Sequence, residues 1–310
     1  MSNKYLVTGA GPIGSTVALA LANQGHSVTL ATRSGKGPEH PGITTTHADV
    51  LQPTQLVPVI DGTTAVFHCI HAAYSVRAWS QTLPAAEELM LALAGKHGIP
   101  VIFPESLYSY SNPEQIMKED SPRDATGGKR GIRTALLDAR ATSNTNTVSV
   151  VASDYYGPFA QTAHAGTRML EALHNDKRLV AIGNPVAAHS FTYLPDLAAA
   201  MIRAAQREDL WNSVLHAPTT PPASQRAMLE AYAVAAGLPA PKISGAPGWL
   251  LRAAGVIHPA TRELAEMAYQ FDKPFVMDSQ HSQALLRLSP TPLAEGALQT
   301  VRWWNATHSN

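Results

Sequence analysis

One cysteine in 310 residues, Cys69, excludes an intrachain disulfide, and its setting in the apolar run "AVFHCI" lends nothing to a metal cluster. Excess charge is also missing: 23 basic residues face 23 acidic ones, which argues against a nucleic-acid or anionic-membrane surface, since both need a cationic field. No apolar run approaches the length of a membrane span. The apolar N-terminal segment breaks at once into "TGAG", unlike a secretory leader, so a cytoplasmic globular protein is expected. Internal repeats and low-complexity tracts are absent too. What remains is a chain long enough for one large or two moderate domains with a sizeable core, with a small anionic ligand still compatible with its charge balance.

The informative stretch is "KYLVTGAGPIGSTVALALANQGHSVTLATRS". A short β-type run at residues 4–8 meets Gly9, Gly11 and Gly14, then an apolar helix over 12–24, then a second β-type run at 27–32. This is G-x-G-x-x-G in a strand–turn–helix–strand setting. Gly9 serves the tight turn, Gly11 lets a pyrophosphate approach the backbone, and Gly14 brings helix and strand together, with Pro12 and Ile13 between them. Dinucleotide binding follows. An acid at the end of the second strand would select NAD through the ribose hydroxyl, but this chain has "ATRSG". Arg33 can pair with a 2′-phosphate and Ser34 can add a hydrogen bond, so NADP is expected ahead of NAD.

β-Type runs and helices continue to alternate through "GITTTHADV", "TTAVFHCIHAA", "GIPVIFPES" and "NTVSVVASDYYGP", with a long helix near 78–97. That alternation implies a Rossmann-type doubly wound parallel sheet with ligands at the carboxyl ends of its strands. From about residue 160 the pattern loosens. A strand, a loop, a strand and a helix lie in "RLVAIGNPVAAHSFTYLPDLAAAMIRAA", and "PTTPPAS" is followed by helical pieces near 223–236, 247–254, 259–270 and 292–305. The expected division is a dinucleotide-binding domain over 1–160, rejoined by 186–218, and a smaller, mainly helical substrate-binding region in the rest of 161–310.

A second oddity is "ATGGKRGIRTALLDA", a helix whose first turns carry Lys129, Arg130 and Arg133 where the dipole favours acids. Lys129 and Arg133 are four apart and share one face. On a doubly wound sheet that face meets the cofactor cleft, which accounts for the cations.

Taken together these segments resemble the extended short-chain dehydrogenase/reductases, the NAD-dependent epimerase/dehydratase group, over nearly the whole chain. "VTGAGPIGS" resembles the family's glycine loop, one residue short, and "HADV" its adenine-contacting turn, which implies roles for Asp49 and Val50. "VFHCIHAA" resembles the fourth strand, whose end lines the cofactor, implicating Cys69, Ile70 and His71, while His68 reads as a core histidine. "SLYSYS" places Ser106 in the family's catalytic serine slot. "SDYYGP" and "HSFTYLPDLAAAM" resemble two later signatures, implying substrate contacts from Tyr155, Tyr156 and Tyr193, with His189 where the family often has a phosphate-binding arginine. "SPTPLAEGALQTVRWW" resembles the family's usual ending.

The family's Tyr-x-x-x-Lys pair is replaced, with Lys129 in the tyrosine slot and Arg133 in the lysine slot. "KRGIRTALLDA" is similar instead to the isoflavone-reductase-like branch of NADPH reductases, where the lysine moves the proton. That resemblance implies an oxidoreductase or epimerase in which Lys129 handles the proton, its basicity lowered by burial and Arg133. Arg133 would orient phosphate or ribose. Ser106 and Tyr108 would hydrogen-bond the reacting oxygen, with Tyr108 the competing proton donor. The other class of function is a redox sensor that binds NADP(H) without chemistry. A homodimer is common in the resembled family.

Overall fold

The structure, a computed structural model, describes residues 2–256 and 258–308, without the side chains of 251, 252, 254, 259 and 260. Its first half alternates strands and helices, except that β3 follows β2 directly: β1 (Lys4–Thr8), α1 (Pro12–Asn23), β2 (Ser27–Thr32), β3 (Ile43–His47), α2 (Pro53–Ile60), β4 (Ala65–His68), α3 (Val76–Lys96), β5 (Val101–Ser106), α4 (Gly128–Ala141) and β6 (Thr147–Ala152). The second half runs β7 (Asp154–Tyr156), α5 (Thr167–His174), β8 (Leu179–Ile182), β9 (Phe191–Tyr193), α6 (Leu194–Ala205), β10 (Ser213–His216), α7 (Gln225–Ala236) and β11 (Ile243–Ala246). It ends with α8 (Gly248–Gly255), α9 (Pro259–Ala265), α10 (Tyr269–Asp272), α11 (Gln280–Leu286) and α12 (Leu293–His308).

Seven strands form one sheet in the order β10-β6-β5-β4-β1-β2-β3, every neighbouring pair parallel. The strand order reverses between β1 and β4, which opens a crevice at their carboxyl ends. β4 and β6 are buried at every position, as strands covered on both faces must be. α1 and α6 cover one face through Val17, Leu21, Leu197 and Met201, and α2 and α3 the other through Leu56, Ile60, Met90 and Leu93. A second core joins α5, α7 and α12 around Tyr156, Leu170, Leu229 and Trp304. The two-stranded pairs β7–β9 and β8–β11 lie beside these helices' connections.

The expected third strand runs to Asp49, but β3 stops at His47. Ala48 N–H makes the last bond across to β2, at Thr32 O, and beyond it Asp49 Oδ1 accepts from Leu51 N–H at 3.0 Å, closing a turn. The expected sixth strand is two strands. Ser153 N–H leaves the main sheet to donate to Thr192 Oγ1 at 3.1 Å, so residues 154–156 pair with β9. The helix expected over 259–270 is split into α9 and α10, and α5 and α11 are additional to the sequence reading. No helix among the described residues is long and apolar enough to cross a membrane.

Candidate active site

The glycine loop occupies the crevice between β1 and α1. Gly9 has φ +89°, and a Cβ there would lie 2.8 Å from Cys69 O. A Cβ on Gly14 would fall 1.9 Å from Gly9 O, so only glycine lets the helix pack this close. Gly11 is the opposite case, with nothing within 4 Å of a notional Cβ. α1 begins with Pro12 and no side-chain cap, leaving its first backbone N–H groups facing that space. An open approach above an uncapped helix N-terminus fits the pyrophosphate of a dinucleotide.

From this loop a cavity of about 660 Å³ extends along the carboxyl ends of β1, β4, β5 and β6. Gly11, Pro12, Ile13, Cys69, Ile70 and His71 border its cofactor end. Burial pushes the Cys69 thiol well up, so it remains a small apolar wall group. His71, its ring edge on Trp79 at 5.0 Å, has its pKa lowered to about 4, first by desolvation and then by Arg133. His68 holds Thr8 Oγ1 through Nδ1 at 2.9 Å, but its Nε2 has no partner. Burial first and Arg140 second lower its pKa to about 3, so the ring is neutral.

Arg133 lines the cavity with its guanidinium 4.8 Å over the Trp79 ring and 3.5 Å from Glu105, while its Nε has no partner. Glu105, fully buried on β5, is held by Arg140, which also grips Glu87 and Ser149. Burial opposes the charge on Arg140, but the two carboxylates outweigh it and raise its pKa. Glu105 Oε1 also accepts from Ser106 N–H at 2.7 Å and Ser106 Oγ–H at 3.3 Å. Ser106 therefore presents a lone pair, rather than its proton, to the cavity.

Tyr108 lines the same wall, stacked on Trp79 at 6.0 Å with its hydroxyl 3.1 Å from that of Tyr74. Burial drives its pKa well above the ordinary phenol value, and that of Tyr74 up to about 12, so both are phenols that can donate.

Lys129 is completely buried and turned away from the cavity lining. Its Nζ donates to Glu263 Oε2, to Glu266 Oε2 at 2.7 Å and to Glu263 O at 3.1 Å, and sits 4.7 Å over the Tyr74 ring. Each carboxylate has a second anchor at a helix start: Lys129 N–H on Glu266 Oε1 at 2.7 Å and Val76 N–H on Glu263 Oε2 at 3.2 Å. The sequence reading placed only Arg133 beside this ammonium. Two carboxylates, those of Glu263 and Glu266, hold it directly. Lys129 and Arg133 do share one face of α4, as their spacing requires, and Arg130 ties the same helix to Tyr108 O and Tyr110 O.

At the other end of the cavity stand Asp154, Tyr155 and His164. Asp154 Oδ2 meets His189 Nε2 at 2.7 Å, and the His189 ring lies 4.9 Å from Phe271 and 5.3 Å from Phe275, nearly parallel to both. Burial works against the Asp154 charge, but the His189 contact and then His164 hold its carboxyl below the ordinary range. His189 thus stands behind Asp154 instead of lining the cavity. Tyr156 and Tyr193, expected to touch substrate, lie in the second core, their rings 5.2 Å apart. On β7 Tyr155 faces the cavity, while Tyr156 packs under α12 against Gly296. Arg33 and Ser34 are exposed past β2, Asp49 is half-buried in its turn, and Val50 is buried beneath it.

Glu87, Glu105, Arg140, Asp154, Glu263 and Glu266 were not singled out in the sequence. Glu105 carried a signal, a charge inside the otherwise apolar strand "VIFPES"; the Glu263–Glu266 pair carried none, since its partner is more than a hundred residues away. Among the described residues no group of three or more His, Cys, Asp or Glu could hold a metal.

Solved structures with this architecture include the Bordetella bronchiseptica enzyme WbmH in complex with NAD⁺, 18% identical over 99% of both chains with a TM-score of 0.77. UDP-glucose 4-epimerase from Thermotoga maritima with UDP-glucose is 17% identical over 98% of this chain and 99% of its own, TM-score 0.76. An epimerase from Methanothermobacter thermautotrophicus is 16% identical over 99% and 94%, TM-score 0.79. A comparison with curated protein sequences finds no match. The model of the NAD dependent epimerase/dehydratase family matches residues 5–213. With its glycine loop, switch-point cavity and parallel sheet in place, the chain belongs to the NAD-dependent epimerase/dehydratase family of enzymes.

Proposed function

We propose that the protein binds NADP(H) in preference to NAD(H) and is an oxidoreductase or epimerase acting on a small carbonyl, alcohol or sugar-like substrate in the 660 Å³ cavity. The observation that carries this reading is the continuity of that cavity, from the open approach at Gly11 past Arg133, Ser106 and Tyr108 to Asp154. The bound nicotinamide would supply or accept the hydride. Arg33 and Ser34 supply a cation and a hydroxyl where a 2′-phosphate would lie, with Lys36 two residues on and no acid on the strand end. Arg133, with its partnerless Nε, holds phosphate or ribose. Tyr108 donates to the reacting oxygen and Tyr74 supports its hydroxyl.

Lys129 enters proton transfer only if Glu263 and Glu266 let go of it, because every Nζ proton is engaged. Release would place an ammonium beside Tyr74 and Tyr108. The same clamp supports the second reading, an NADP(H)-binding sensor without chemistry. A homodimer through α3 and α4 belongs to the proposal as well, and a groove of about 550 Å³ lies between those helices.

Fluorescence titration with NADPH and NADH tests the first step, with tighter NADPH binding expected. Preference for NADH removes the Arg33 argument. Binding of neither removes the proposal. An enzyme transfers deuterium from labelled cofactor to a carbonyl substrate, a sensor never does.

A further inference from the structure

Trp79 stands where four side chains of the site meet. It lies in the first turn of α3, which Ser75 fixes: Ser75 Oγ accepts from Ala78 N–H at 3.2 Å and Ser75 O from Trp79 N–H at 3.0 Å. Leu83, one turn on, and Leu136 of α4 pack behind the ring. The indole lines the cavity although Trp79 is only 1% exposed. His71 and Tyr74 meet it edge-on at 5.0 and 5.6 Å, Tyr108 stacks at 6.0 Å within 10° of parallel, and the Arg133 guanidinium lies 4.8 Å over its face.

The contact with Arg133 decides the most, because little else orients that side chain. An arginine carries its planar fork on a long, mobile stem. Arg140, on the same helix, is locked by hydrogen bonds from Nε, Nη1 and Nη2 to Glu87, Glu105 and Ser149. Arg133 has no such lock. Its Nε has no partner among the described residues, and its ion pair with Glu105 spans 3.5 Å, to an oxygen that already accepts from Ser106 N–H. An ion pair that long attracts without fixing direction, whereas a flat cation over an indole is held in a plane. The Trp79 N–H has no partner among the described residues either, so packing alone holds the ring. Phenylalanine in its place breaks no hydrogen bond to the protein.

We propose that Trp79 is a positioning residue for the cofactor: its indole face holds the Arg133 guanidinium ready for the nicotinamide half of the dinucleotide, and it affects binding only through Arg133. The direction follows from the sheet. Arg33 lies past β2, on one side of the reversal between β1 and β4, while Trp79 and Arg133 touch His71 past β4 and Glu105 on β5, on the other. A dinucleotide with its pyrophosphate at Gly11 and its adenosine toward Arg33 turns its nicotinamide half toward them. The proposal rests on the cofactor reading above, which gives Arg133 a ribose or phosphate to hold.

The test is a double-mutant cycle on the full chain: Trp79→Leu, Arg133→Met and the two together, titrated by calorimetry with NADPH and with 2′,5′-ADP. The second probe has the adenosine and 2′-phosphate of NADPH and lacks the nicotinamide nucleoside. Trp79→Leu is expected to weaken NADPH about fivefold to thirtyfold, the worth of a desolvated cation–π contact, and to leave 2′,5′-ADP within about twofold. In the Arg133→Met background the same change should cost NADPH less than about twofold. Trp79→Phe keeps an aromatic face and should weaken NADPH by less than about fivefold, and it decides the question if the leucine variant does not fold. A tryptophan that merely supports the fold gives comparable losses in both backgrounds, or a loss for both probes. Either result overturns the proposal, as does a leucine variant weakened less than about fivefold or a phenylalanine variant weakened more than that. Arg133→Met binding NADPH as tightly as wild type overturns the role given to Arg133 above, and the proposal with it. Wild type that binds no NADPH overturns the cofactor reading beneath both.

Discussion

Replacing Lys129 by methionine separates two roles for the most buried cation among the described residues. Methionine keeps the length of the side chain and deletes the ammonium, leaving Glu263 and Glu266 facing each other. Removing one partner of a fully buried ion pair costs about 3–5 kcal/mol. Here the discount is real: the two carboxylate side chains are 24% and 26% exposed, and each keeps a backbone N–H, at Val76 and at Lys129 itself. The loss should be about 2–3 kcal/mol, or roughly 5 °C in melting temperature for a chain of this size. Lys129→Met/Glu263→Gln/Glu266→Gln removes the stranded charges and keeps carbonyl oxygens for both N–H groups. It should recover most of that loss. Thermal unfolding of the three proteins settles the electrostatics: a single variant within about 0.5 kcal/mol of wild type, or a triple variant no better than the single, would refute the clamp. Turnover on the same proteins settles the chemistry. If Lys129 only fastens α9 to α4, the triple variant regains activity with its stability. If Lys129 moves the proton, the triple variant is stable and inactive.

Gly11→Ala and Gly14→Ala should part company: the first places a methyl in open space and weakens cofactor binding at unchanged stability, while the second strikes Gly9 O and lowers both, as titration and melting will show. Arg140→Met strands Glu87 and Glu105 in the core and should cost about 3–5 kcal/mol or prevent folding, read by expression and denaturation. For His68 the folded pKa is about 3 and the ordinary value 6.5, so between these the unfolded chain binds the extra proton. Stability should fall as pH drops from 6.5 towards 3, by at most about 5 kcal/mol, and level off below; a His68→Asn profile as steep as wild type would sink this assignment. Arg33→Glu should weaken NADPH binding more than NADH binding, measured by fluorescence.

The glycine loop was legible because everything it requires is local. Gly9, Gly11 and Gly14 need only a strand before and a helix after, and both the φ of Gly9 and the contact at Gly14 follow from that context. The same holds for β2 at 27–32, fixed by its own apolar run and the turn beyond it. Elements whose limits depend on distant partners were harder. β7 exists because Phe191–Tyr193 is there to pair with it, and α5 is held by a core that α7 and α12 complete.

The site divides along the same line. Tyr156 belongs to the second core because α12 lies over it at Gly296, a partner far along the chain. His189 and Lys129 depend on distant partners in the same way. Whether a histidine reaches ligand or stands behind an aspartate depends on Phe271 and Phe275, and whether a lysine is basic or clamped depends on Glu263 and Glu266. All four come from α9, α10 and the strap after them, which close over the sheet's ligand edge. That segment turns a common cofactor fold into a particular site. It contributes Gln270 to the cavity and two carboxylates to the helix that bears Lys129, so the cavity's lining and the hold on that lysine are built by one stretch of chain. Changing substrate by altering residues 263–275 should therefore change the melting temperature as well. Variants that alter one and never the other would break that link.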